Sequence, residues 1–534
     1  MKSHVIIIGA GISGLIAATE LLDKGYQVTL LDRDEEQAIG GLAKWALGGL
    51  FFVDTPLQRK SGIKDSVDLA KKDWFSYADF LEEEYWGKEW ANYYIKNCTK
   101  LGYNWLLSKG IKFLSTVNWV ERGMHGDGNS VPRFHLVWGT GMELVKVFAR
   151  LLLEHPKRNL LDLYFRHRVN ELIFENGKVV GVRGINEALG KDFEIRADVT
   201  VIATGGISGS VNKIKEYWHK DLGTPPKVVL VGGHKYAQGD LHEAVENING
   251  KFANRDKQWN YAAGIRHYQP RKEEHGLSLI PPKSAIWLNY KGERLGPEPL
   301  ITGFDTSFLV KRICQEEKKY SWQILNKKIA LKELAISGSE SNAAIRDKKF
   351  LKLVRNILFG NKELYNTISS RCEEFIVADT VEDLVIKMNQ LTETEDVSLE
   401  AVRKSIQDYD AAIDQGAPYQ DEQLNRILKA REWKADKLRT SNLQKISDPK
   451  AGPLIAIREY ILTRKSMGGI QTNLKCQVLS KADTPQDQRP IPGLYAIGEA
   501  AGFGGGGVHG HRALEGTFLG SCIITARTLT KYFK

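Results

Sequence analysis

VIIIGAGISG, at positions 5–14, is the stretch of sequence that decides the fold. Its apolar start predicts a short buried strand, and the spacing of Gly9, Gly11 and Gly14 follows that strand directly. In this pattern the first glycine permits a tight turn and the second lets backbone approach a pyrophosphate. The third lets the following helix pack closely on the strand. A helix is predicted to continue to about Lys24. The stretch therefore predicts an α/β fold with a Rossmann-like parallel sheet that binds a dinucleotide.

A second strand and an acidic residue complete the βαβ unit. Gly25 ends the predicted helix, Val28–Leu31 forms the next strand, and Asp32 follows it. A carboxylate about twenty residues after the glycines can accept hydrogen bonds from ribose hydroxyls. It would repel a 2′-phosphate, although the neighbouring Arg33 weakens that argument. This motif alone does not distinguish FAD from NAD.

The C-terminal segment favours FAD. Residues 492–502 read PGLYAIGEAAG and predict a strand and a turn, before a glycine bed at 504–507 and a helix from about Glu515. FAD extends far beyond its adenosine and needs a second binding segment, whereas NAD does not. We predict that Glu499 contacts the ribityl–pyrophosphate region. The N-terminus of the following helix would stabilise negative charge on the reduced flavin.

Composition excludes several classes of protein. The chain has 534 residues, which is more than a single hydrophobic core usually contains, so more than one domain is expected. Its charged residues, 26% of the total, are typical of a globular protein. No apolar run approaches the ~20 residues that span a bilayer, and the N-terminal sequence does not resemble a signal peptide. The five cysteines are scattered without metal-ligand spacing. We therefore expect no transmembrane segment, no metal site and a cytoplasmic location.

The formal net charge of +10 raises the question of a polyanion partner. Basic pairs such as Lys311-Arg312, Lys318-Lys319 and Lys327-Lys328 alternate with apolar and acidic residues. This pattern is more typical of solvated helix faces than of a phosphate-binding stripe, so no nucleic acid is expected. The excess charge could still attract anionic substrates or membrane surfaces.

A change of composition divides the chain. From about residue 251 onwards, aromatic residues, Lys and Glu become more frequent, and long amphipathic helices are predicted at Leu399–Ile413 and Asp421–Lys437. We predict a discontinuous FAD-binding domain, residues 1–250 and 441–534, with an inserted α+β capping or substrate domain, residues 251–440.

Several signatures, in order along almost the whole chain, resemble the flavoprotein superfamily of fumarate reductases, succinate dehydrogenases and 3-ketosteroid dehydrogenases. Within it the chain is most similar to bacterial FAD-binding dehydrogenases related to ketosteroid dehydrogenases. The shared segments include Gly40-Gly41, Gly48-Gly49, Phe134–Gly141, Ala203–Gly206, Gly239-Asp240, Lys291–Arg294, Gly303–Thr306, Met467–Gly469, Leu494–Glu499 and Gly504–Arg512.

The motifs and the resemblance together predict the residues that hold FAD. They are Gly9, Gly11, Ser13, Gly14, Asp32, Arg33, Gly40, Gly41, Leu42, Gly48, Gly49, Ala203, Thr204, Gly205, Gly239, Asp240, Gly498, Glu499, Gly506 and Gly507.

Departures from the better-known members bear on the substrate. Leu42 stands where succinate dehydrogenases attach FAD to a histidine, so FAD is expected to be bound non-covalently. Arg464–Ser466 replaces the His-His pair of fumarate reductases, and Arg512 lies one residue before their substrate arginine. No tyrosine lies between Gly502 and Gly520, where ketosteroid dehydrogenases carry active-site tyrosines. Neither substrate transfers directly.

The resemblance implies hydride transfer between flavin N5 and a carbon, coupled to proton transfer at the neighbouring carbon. For stabilising a charged oxygen we predict Arg512 and Arg464. For proton transfer we predict His509 and His511, which alternatively tie down the glycine loop or contact the flavin.

The inserted domain supplies a further pair of candidates. His267 and Tyr268 follow Gly264 closely and could close over the substrate. Their alternative role is a basic surface patch.

The favoured function is an FAD-dependent dehydrogenase or reductase that acts on a C–C bond beside a carbonyl, in a ketosteroid or another small-molecule enone. The alternatives are a flavoprotein that binds RNA or another polyanion, and a flavin-binding protein without turnover. The electron partner is a quinone, a redox protein or oxygen.

Overall fold

The computed structural model describes residues 3–533. The strands in these residues are β1 (His4–Ile8), β2 (Gln27–Leu31), β3 (Gly49–Phe51), β4 (Phe113–Asn118), β5 (Phe134–Val137), β6 (Leu161–Tyr164), β7 (His167–Glu175), β8 (Lys178–Asn186), β9 (Lys191–Arg196), β10 (Val199–Ile202), β11 (Leu230–Val231), β12 (Phe252–Ala253), β13 (Gln258–Arg266), β14 (Gly276–Ile280), β15 (Ile286–Leu288), β16 (Tyr320–Asn326), β17 (Ala335–Ser337), β18 (Phe375–Ala378), β19 (Leu454–Ser466), β20 (Gly469–Ile470), β21 (Gln477–Leu479) and β22 (Pro490–Ala496).

The α-helices of the same residues lie between these strands and after the last of them. They are α1 (Ile12–Asp23), α2 (Pro56–Lys60), α3 (Val67–Ala78), α4 (Tyr85–Asn97), α5 (Trp105–Ser108), α6 (Thr140–Leu153), α7 (Val211–Glu216), α8 (Asp240–Asn247), α9 (Thr306–Cys314), α10 (Lys327–Glu333), α11 (Ala343–Arg346), α12 (Phe350–Phe359), α13 (Lys362–Arg371), α14 (Val381–Thr392), α15 (Leu399–Gln415), α16 (Glu422–Glu432), α17 (Lys434–Arg439) and α18 (Thr517–Lys531).

The chain divides into two compact units. The first comprises the residues up to Tyr217, Gly233–Trp259 and the residues from Arg464, and the second comprises Trp218–Gly232 and Asn260–Thr463. These bounds differ from the predicted ones because they fall inside β13 and β19. β13 begins after the predicted boundary at residue 250 and β19 begins after the one at residue 440, so the change in composition does not mark the bounds of the units.

The first unit contains a sheet of the order β21-β22-β10-β1-β2-β6 within the described residues. β1, β2, β6, β10 and β22 are parallel, and β21 pairs with β22 in the antiparallel direction. β1 lies inside this sheet and its residues Val5–Ile8 are buried, as expected for a strand covered on both faces. The predicted Rossmann-like parallel sheet is confirmed.

Helix α1 packs against α18 and α6. Its residues Leu15, Ile16, Leu21 and Leu22 are fully buried, so its apolar side chains are covered by these neighbours. The helix from the start of the chain is thereby joined to the helix from its end.

The second unit is built on a larger sheet of the order β15-β16-β19-β13-β14-β17, with β11 and β18 also paired to β19. β19 runs through it with Leu454–Tyr460 paired to β16. The predicted helix Asp421–Lys437 is wrong in one respect: Trp433, with ψ 126°, separates it into α16 and α17.

No helix of residues 3–533 is both long enough and apolar enough to span a bilayer.

Candidate functional site

The first unit brings three turn segments to one edge of its sheet. β10 lies between β1 and β22, and all three strands run in the same direction. Their carboxyl ends lead into Gly9, Ala203 and Gly498. Ligands of parallel α/β sheets bind at this edge, where strand ends leave a crevice. The glycine motifs from the start, middle and end of the chain therefore meet at one site.

The turn after β1 leaves no room for a side chain at two of its glycines. Gly9 has φ +109°, and a Cβ there would lie 2.4 Å from the Ala203 carbonyl oxygen. A Cβ on Gly14 would lie 2.0 Å from the Gly9 carbonyl oxygen. These contacts fix the start of α1 against β1 and β10.

Gly11 and Gly205 are different, because they border open space. A Cβ built on either residue would meet no atom within 4 Å. Gly11 immediately precedes the first turn of α1, whose amide groups have no partner within the helix. Space beside a helix N-terminus is the arrangement that accommodates a phosphate, so this crevice fits the pyrophosphate of FAD.

Ser13 and Gly498 connect the two ends of the chain at the same place. The Ser13 hydroxyl donates a hydrogen bond of 3.0 Å to the Cys522 carbonyl in α18. A Cβ on Gly498 would lie 2.4 Å from that hydroxyl oxygen. The Ser13 side chain therefore joins α1 to α18, and its backbone remains the part that could serve a phosphate.

Asp32 supports the glycine turn through both of its carboxylate oxygens. One accepts a hydrogen bond of 2.6 Å from the Ala10 amide, and the other accepts one of 2.7 Å from the Asp34 amide. Burial raises the pKa of Asp32, while the two amides act in the opposite direction. Each oxygen keeps a lone pair, so the predicted bond to a ribose hydroxyl is compatible with these contacts.

Arg33 and Asp240 are held by other charged residues. Arg33 lies 2.9 Å from Glu187 and 3.8 Å from Asp240, and its guanidinium stacks over the Tyr236 ring. Asp240 also forms an ion pair of 2.8 Å with Arg168. Gly239 directly precedes Asp240 and the start of α8. This network holds both side chains in place, and a direct contact of Arg33 or Asp240 with FAD stays a prediction.

The double-glycine segments have different surroundings. The Gly40 amide donates a hydrogen bond of 2.8 Å to the Ala10 carbonyl, and a Cβ on Gly41 would lie 3.5 Å from Gly11 Cα. The segment containing Leu42 thus begins beside the phosphate crevice. The Leu42 side chain is aliphatic and half-buried, and it offers no atom for a covalent bond to a flavin.

Gly48 and Gly49 serve close packing. A Cβ on Gly48 would lie 2.7 Å from the Gly141 amide nitrogen, and one on Gly49 would lie 1.7 Å from the Phe134 ring. Neither glycine has the open space that Gly11 has.

Glu499 is half-buried next to the middle segment of the site. It accepts a hydrogen bond of 2.9 Å from the Ser466 amide, and a Cβ on Gly206 would lie 2.6 Å from its Oε1. Thr204 and Gly205, which precede Gly206, are half-buried. Burial raises the pKa of Glu499 to about 7. Near neutral pH this carboxyl can therefore donate as well as accept a hydrogen bond.

The glycine bed is packed tightly on the segment before β13. A Cβ on Gly506 would lie 3.0 Å from Ala253 Cβ, and one on Gly507 would lie 2.4 Å from the Asn254 amide nitrogen. The bed is therefore a fixed backbone surface.

His509 is enclosed by aromatic rings and is neutral. Its ring centroid lies 4.4 Å from that of Phe518, and its Nε2 lies 2.9 Å from the Thr517 hydroxyl. That hydroxyl donates to Leu514, so His509 Nε2 carries the proton. Burial lowers the pKa of His509 well below its ordinary value. The protonated form is disfavoured because the imidazolium would be desolvated, and the role of His509 in proton transfer stays a prediction.

His511 and Arg512 are engaged by the protein itself. The His511 amide donates a hydrogen bond of 2.7 Å to the Ala78 carbonyl. Arg512 forms an ion pair of 2.7 Å with Asp127, and its guanidinium lies over the Tyr77 ring. The Asp127 carboxylate compensates the charge that would stabilise a substrate oxygen. Catalytic roles for both residues stay predictions, and this ion pair argues against that of Arg512.

Lys465 is a candidate that the sequence analysis missed. It follows the buried Arg464 in β19, and its Nζ lies 3.8 Å from the centre of the Phe518 ring. Burial lowers the pKa of Lys465 to about 8, with Glu515 acting in the opposite direction. The feature of the sequence that could have pointed to Lys465 is the segment Arg464–Ser466, which replaces the His-His pair of fumarate reductases.

Glu515 is oriented by an aromatic neighbour. The buried Trp259 indole donates a hydrogen bond of 2.9 Å to Glu515 Oε1. The carboxylate that acts on Lys465 thus has a fixed position. Lys465, Glu515 and Trp259 therefore form a connected group in the first unit, with Lys465 as its titratable amine.

His267 and Tyr268 lie in the second unit. His267 is buried, and its ring stacks on that of His275 with 4.3 Å between the ring centroids. Its Nδ1 accepts a hydrogen bond of 2.9 Å from the Gln269 amide. Its Nε2 lies 3.5 Å from Glu340. Burial raises the pKa of Tyr268. These contacts describe a polar cluster of the second unit, and its catalytic role stays a prediction.

Comparison with known proteins identifies relatives along the whole chain. The family described as FAD binding domain matches residues 4–519. The chain is 39% identical over 547 residues to a KsdD-like steroid dehydrogenase of Mycobacterium tuberculosis, covering 99% of this chain and 95% of that protein. It is 38% identical over 535 residues to a KsdD-like steroid dehydrogenase of Mycolicibacterium smegmatis, covering 97% and 96%.

A solved structure shares the fold. The 3-ketosteroid delta1-dehydrogenase from Sterolibacterium denitrificans, in complex with 1,4-androstadiene-3,17-dione, superposes with a TM-score of 0.69 at 15% sequence identity. The match covers 100% of this chain and 99% of that one.

Gly11→Ala tests the phosphate crevice. Gly11 has φ −69°, which alanine adopts without strain, and a methyl group there meets no protein atom within 4 Å. We expect the variant to fold normally but to bind FAD at least about tenfold more weakly, because the methyl group occupies space needed by the pyrophosphate. Thermal unfolding of the apoprotein and titration with FAD measure the two effects separately.

Gly14→Ala is the matched control, since its Cβ would collide with the Gly9 carbonyl and should destabilise the protein itself. Unchanged FAD affinity in Gly11→Ala would contradict the assignment.

Proposed function

The chain belongs to the FAD binding domain family and to its KsdD-like steroid dehydrogenases, and on that premise we propose that it dehydrogenates a ketosteroid-like substrate beside a carbonyl group. It is an FAD-dependent oxidoreductase that acts on CH–CH groups. The observation that carries the substrate proposal is Lys465, an amine with a pKa of about 8 against an aromatic ring.

The cofactor residues fit FAD bound without a covalent link. Gly11, Gly205 and the first turn of α1 would hold the pyrophosphate, and Asp32 would hold the ribose. Glu499 would bind the ribityl region through a carboxyl whose pKa is about 7. When bound, FAD supplies the N5 position that takes up a hydride.

Lys465 would remove the proton that accompanies this hydride. A hydrogen on the carbon next to a carbonyl is weakly acidic, and a neutral amine close to it is a suitable base. With a pKa of about 8, roughly a tenth of the Lys465 side chains are neutral at pH 7, compared with almost none for an ordinary lysine. Burial therefore prepares Lys465 for proton transfer near physiological pH.

Arg464 and Glu515 would tune this proton transfer. Arg464 is buried beside Lys465 and its positive charge acts to lower the pKa of Lys465. The same charge would stabilise the enolate oxygen that forms when the carbon loses its proton. Glu515, held by Trp259, would stabilise Lys465 once the amine has accepted the proton.

Aromatic side chains near Lys465 favour an apolar substrate. Phe518 is in contact with the amine, and its ring centroid lies 5.1 Å from that of Phe503, which is also buried. Because both rings are buried, they make the surroundings of Lys465 apolar, and an apolar steroid skeleton enters such surroundings at a lower desolvation cost than a charged group. A charged dicarboxylate would gain nothing from them.

The electron partner and the location of the reaction complete the proposal. The acceptor of electrons from the enzyme is a quinone, a redox protein or oxygen. The cytoplasm remains the proposed compartment because the five scattered cysteines are free thiols, and four of them are buried.

Anaerobic mixing with a saturated 3-ketosteroid tests the function. We expect the visible absorbance of the bound flavin to be lost and the product to be lighter by two hydrogens in mass spectrometry. Mixing with succinate serves as the comparison, and flavin reduced by succinate but not by the ketosteroid would overturn the proposal.

Lys465→Gln tests the base in the same assay. We expect flavin reduction to slow by about 100-fold, because the proton acceptor is lost, while FAD stays bound. In the wild-type enzyme, kcat/KM should rise with pH through about 8, as the neutral amine becomes populated, and Lys465→Gln should lose this rise. Lys475→Gln, at an exposed lysine of the same unit, is the matched control. A variant Lys465→Gln with wild-type rate and pH profile would contradict the role.

A further inference from the structure

Helix α12 exposes an unusual amount of apolar surface. Seven of its ten residues are apolar, and none of the ten is buried. Leu351 is 84% exposed, Phe359 71%, Leu358 64% and Phe350 63%. Single exposed apolar residues are ordinary, but a contiguous group of this size marks a surface that contacts something else.

The two exposed leucines lie on one face of the helix, and the exposed phenylalanines are its first and last residues. Leu351 and Leu358 are seven residues apart, which places them on the same line of an α-helix. Arg355 lies between them, four residues after Leu351, and is also exposed. The apolar line therefore carries a basic residue within it.

A neighbouring helix extends the surface. α17 packs against α12 within the second unit, and its Leu438 is 44% exposed. Lys434 and Lys437 on α17 are exposed as well. We define the α12 surface as the exposed apolar and basic residues of this region: Lys348, Lys349, Phe350, Leu351, Arg355, Leu358, Phe359, Lys434, Lys437 and Leu438.

Acidic residues near the α12 surface are engaged in ion pairs. Asp347 lies 2.7 Å from Arg346, and Asp436 lies 3.2 Å from Lys283. Glu363 lies 2.5 Å from Lys352. The basic residues of the α12 surface therefore give it a net positive charge, in keeping with the formal charge of +10 for the whole chain.

This charge decides between the occupants that could cover the surface. In a symmetric dimer the same patch would face itself, so the basic residues Lys348, Lys349 and Arg355 of both copies would lie close together. Like charges brought together in this way disfavour that pairing. A layer of anionic phospholipid offers the opposite charge at its surface and an apolar interior directly below.

We propose that the α12 surface docks the enzyme onto anionic phospholipid membranes, with α12 lying in the plane of the headgroups. Leu351, Leu358 and the two phenylalanines enter the acyl region, and the lysines and Arg355 contact lipid phosphates. The inference is independent of the proposed substrate. If that substrate is steroid-like, docking also brings the enzyme to the phase in which an apolar substrate dissolves.

Vesicle sedimentation of the FAD-loaded enzyme tests the proposal. We expect binding to vesicles of phosphatidylglycerol and phosphatidylcholine that is at least tenfold stronger than binding to phosphatidylcholine alone. Added salt should weaken it, because part of the attraction is electrostatic. The double variant Leu351→Ser, Leu358→Ser should lose at least tenfold in binding. Its flavin content and its turnover in solution should stay unchanged.

Leu189→Ser is the matched control, since Leu189 is 66% exposed on the turn between β8 and β9 of the other unit. This variant should bind vesicles as the wild type does. Absence of wild-type binding to anionic vesicles, or equal binding by the leucine double variant, would overturn the proposal. A wild-type dimer that the double variant converts to a monomer, without vesicle binding, would reassign the surface to self-association. None of these results depends on which steroid the enzyme oxidises.

Discussion

The close approach of α1 to β1 is the constraint on which the rest of the structure depends. No Cβ fits at Gly14, because it would lie 2.0 Å from the Gly9 carbonyl oxygen. The close approach of the two backbones at Gly14 and Gly9 holds the N-terminus of α1 at the sheet edge, beside the segments that follow β10 and β22. Ser13 then joins α1 to α18 through the Cys522 carbonyl. The first and last parts of the chain can therefore bind a single long ligand.

Burial explains the chemistry of the site, because it disfavours whichever form of a side chain is charged. It raises the pKa of Glu499 to about 7 and lowers that of Lys465 to about 8, so both pKa values lie close to neutral pH. The same effect removes His509 from this range. The proposed proton-transfer group therefore lies on β19, whereas His509 of the glycine loop packs among aromatic rings.

Local patterns were predictable from the sequence, and long-range pairings were not. The spacing of Gly9, Gly11 and Gly14 defines a turn within ten residues, so the parallel sheet and the binding of a dinucleotide could be predicted from it. The ion pair of Arg512 with Asp127 joins residues far apart in the chain, and no local sequence pattern predicts it. The unit boundaries differ from the predicted ones for a related reason, since they fall inside β13 and β19, two strands that are distant in the chain and neighbours in the sheet. The exposure of α12 is likewise a property of the folded chain.

Hydrogen exchange of the apoprotein with and without FAD tests the central claim most directly. Three segments meet at one ligand: the turn of Gly9–Leu15, the residues 203–206 after β10, and the residues 498–507 after β22. We predict that FAD slows amide exchange in all three segments together and at the same FAD concentration. Protection of the first segment alone, with the C-terminal segment unaffected, would contradict the account.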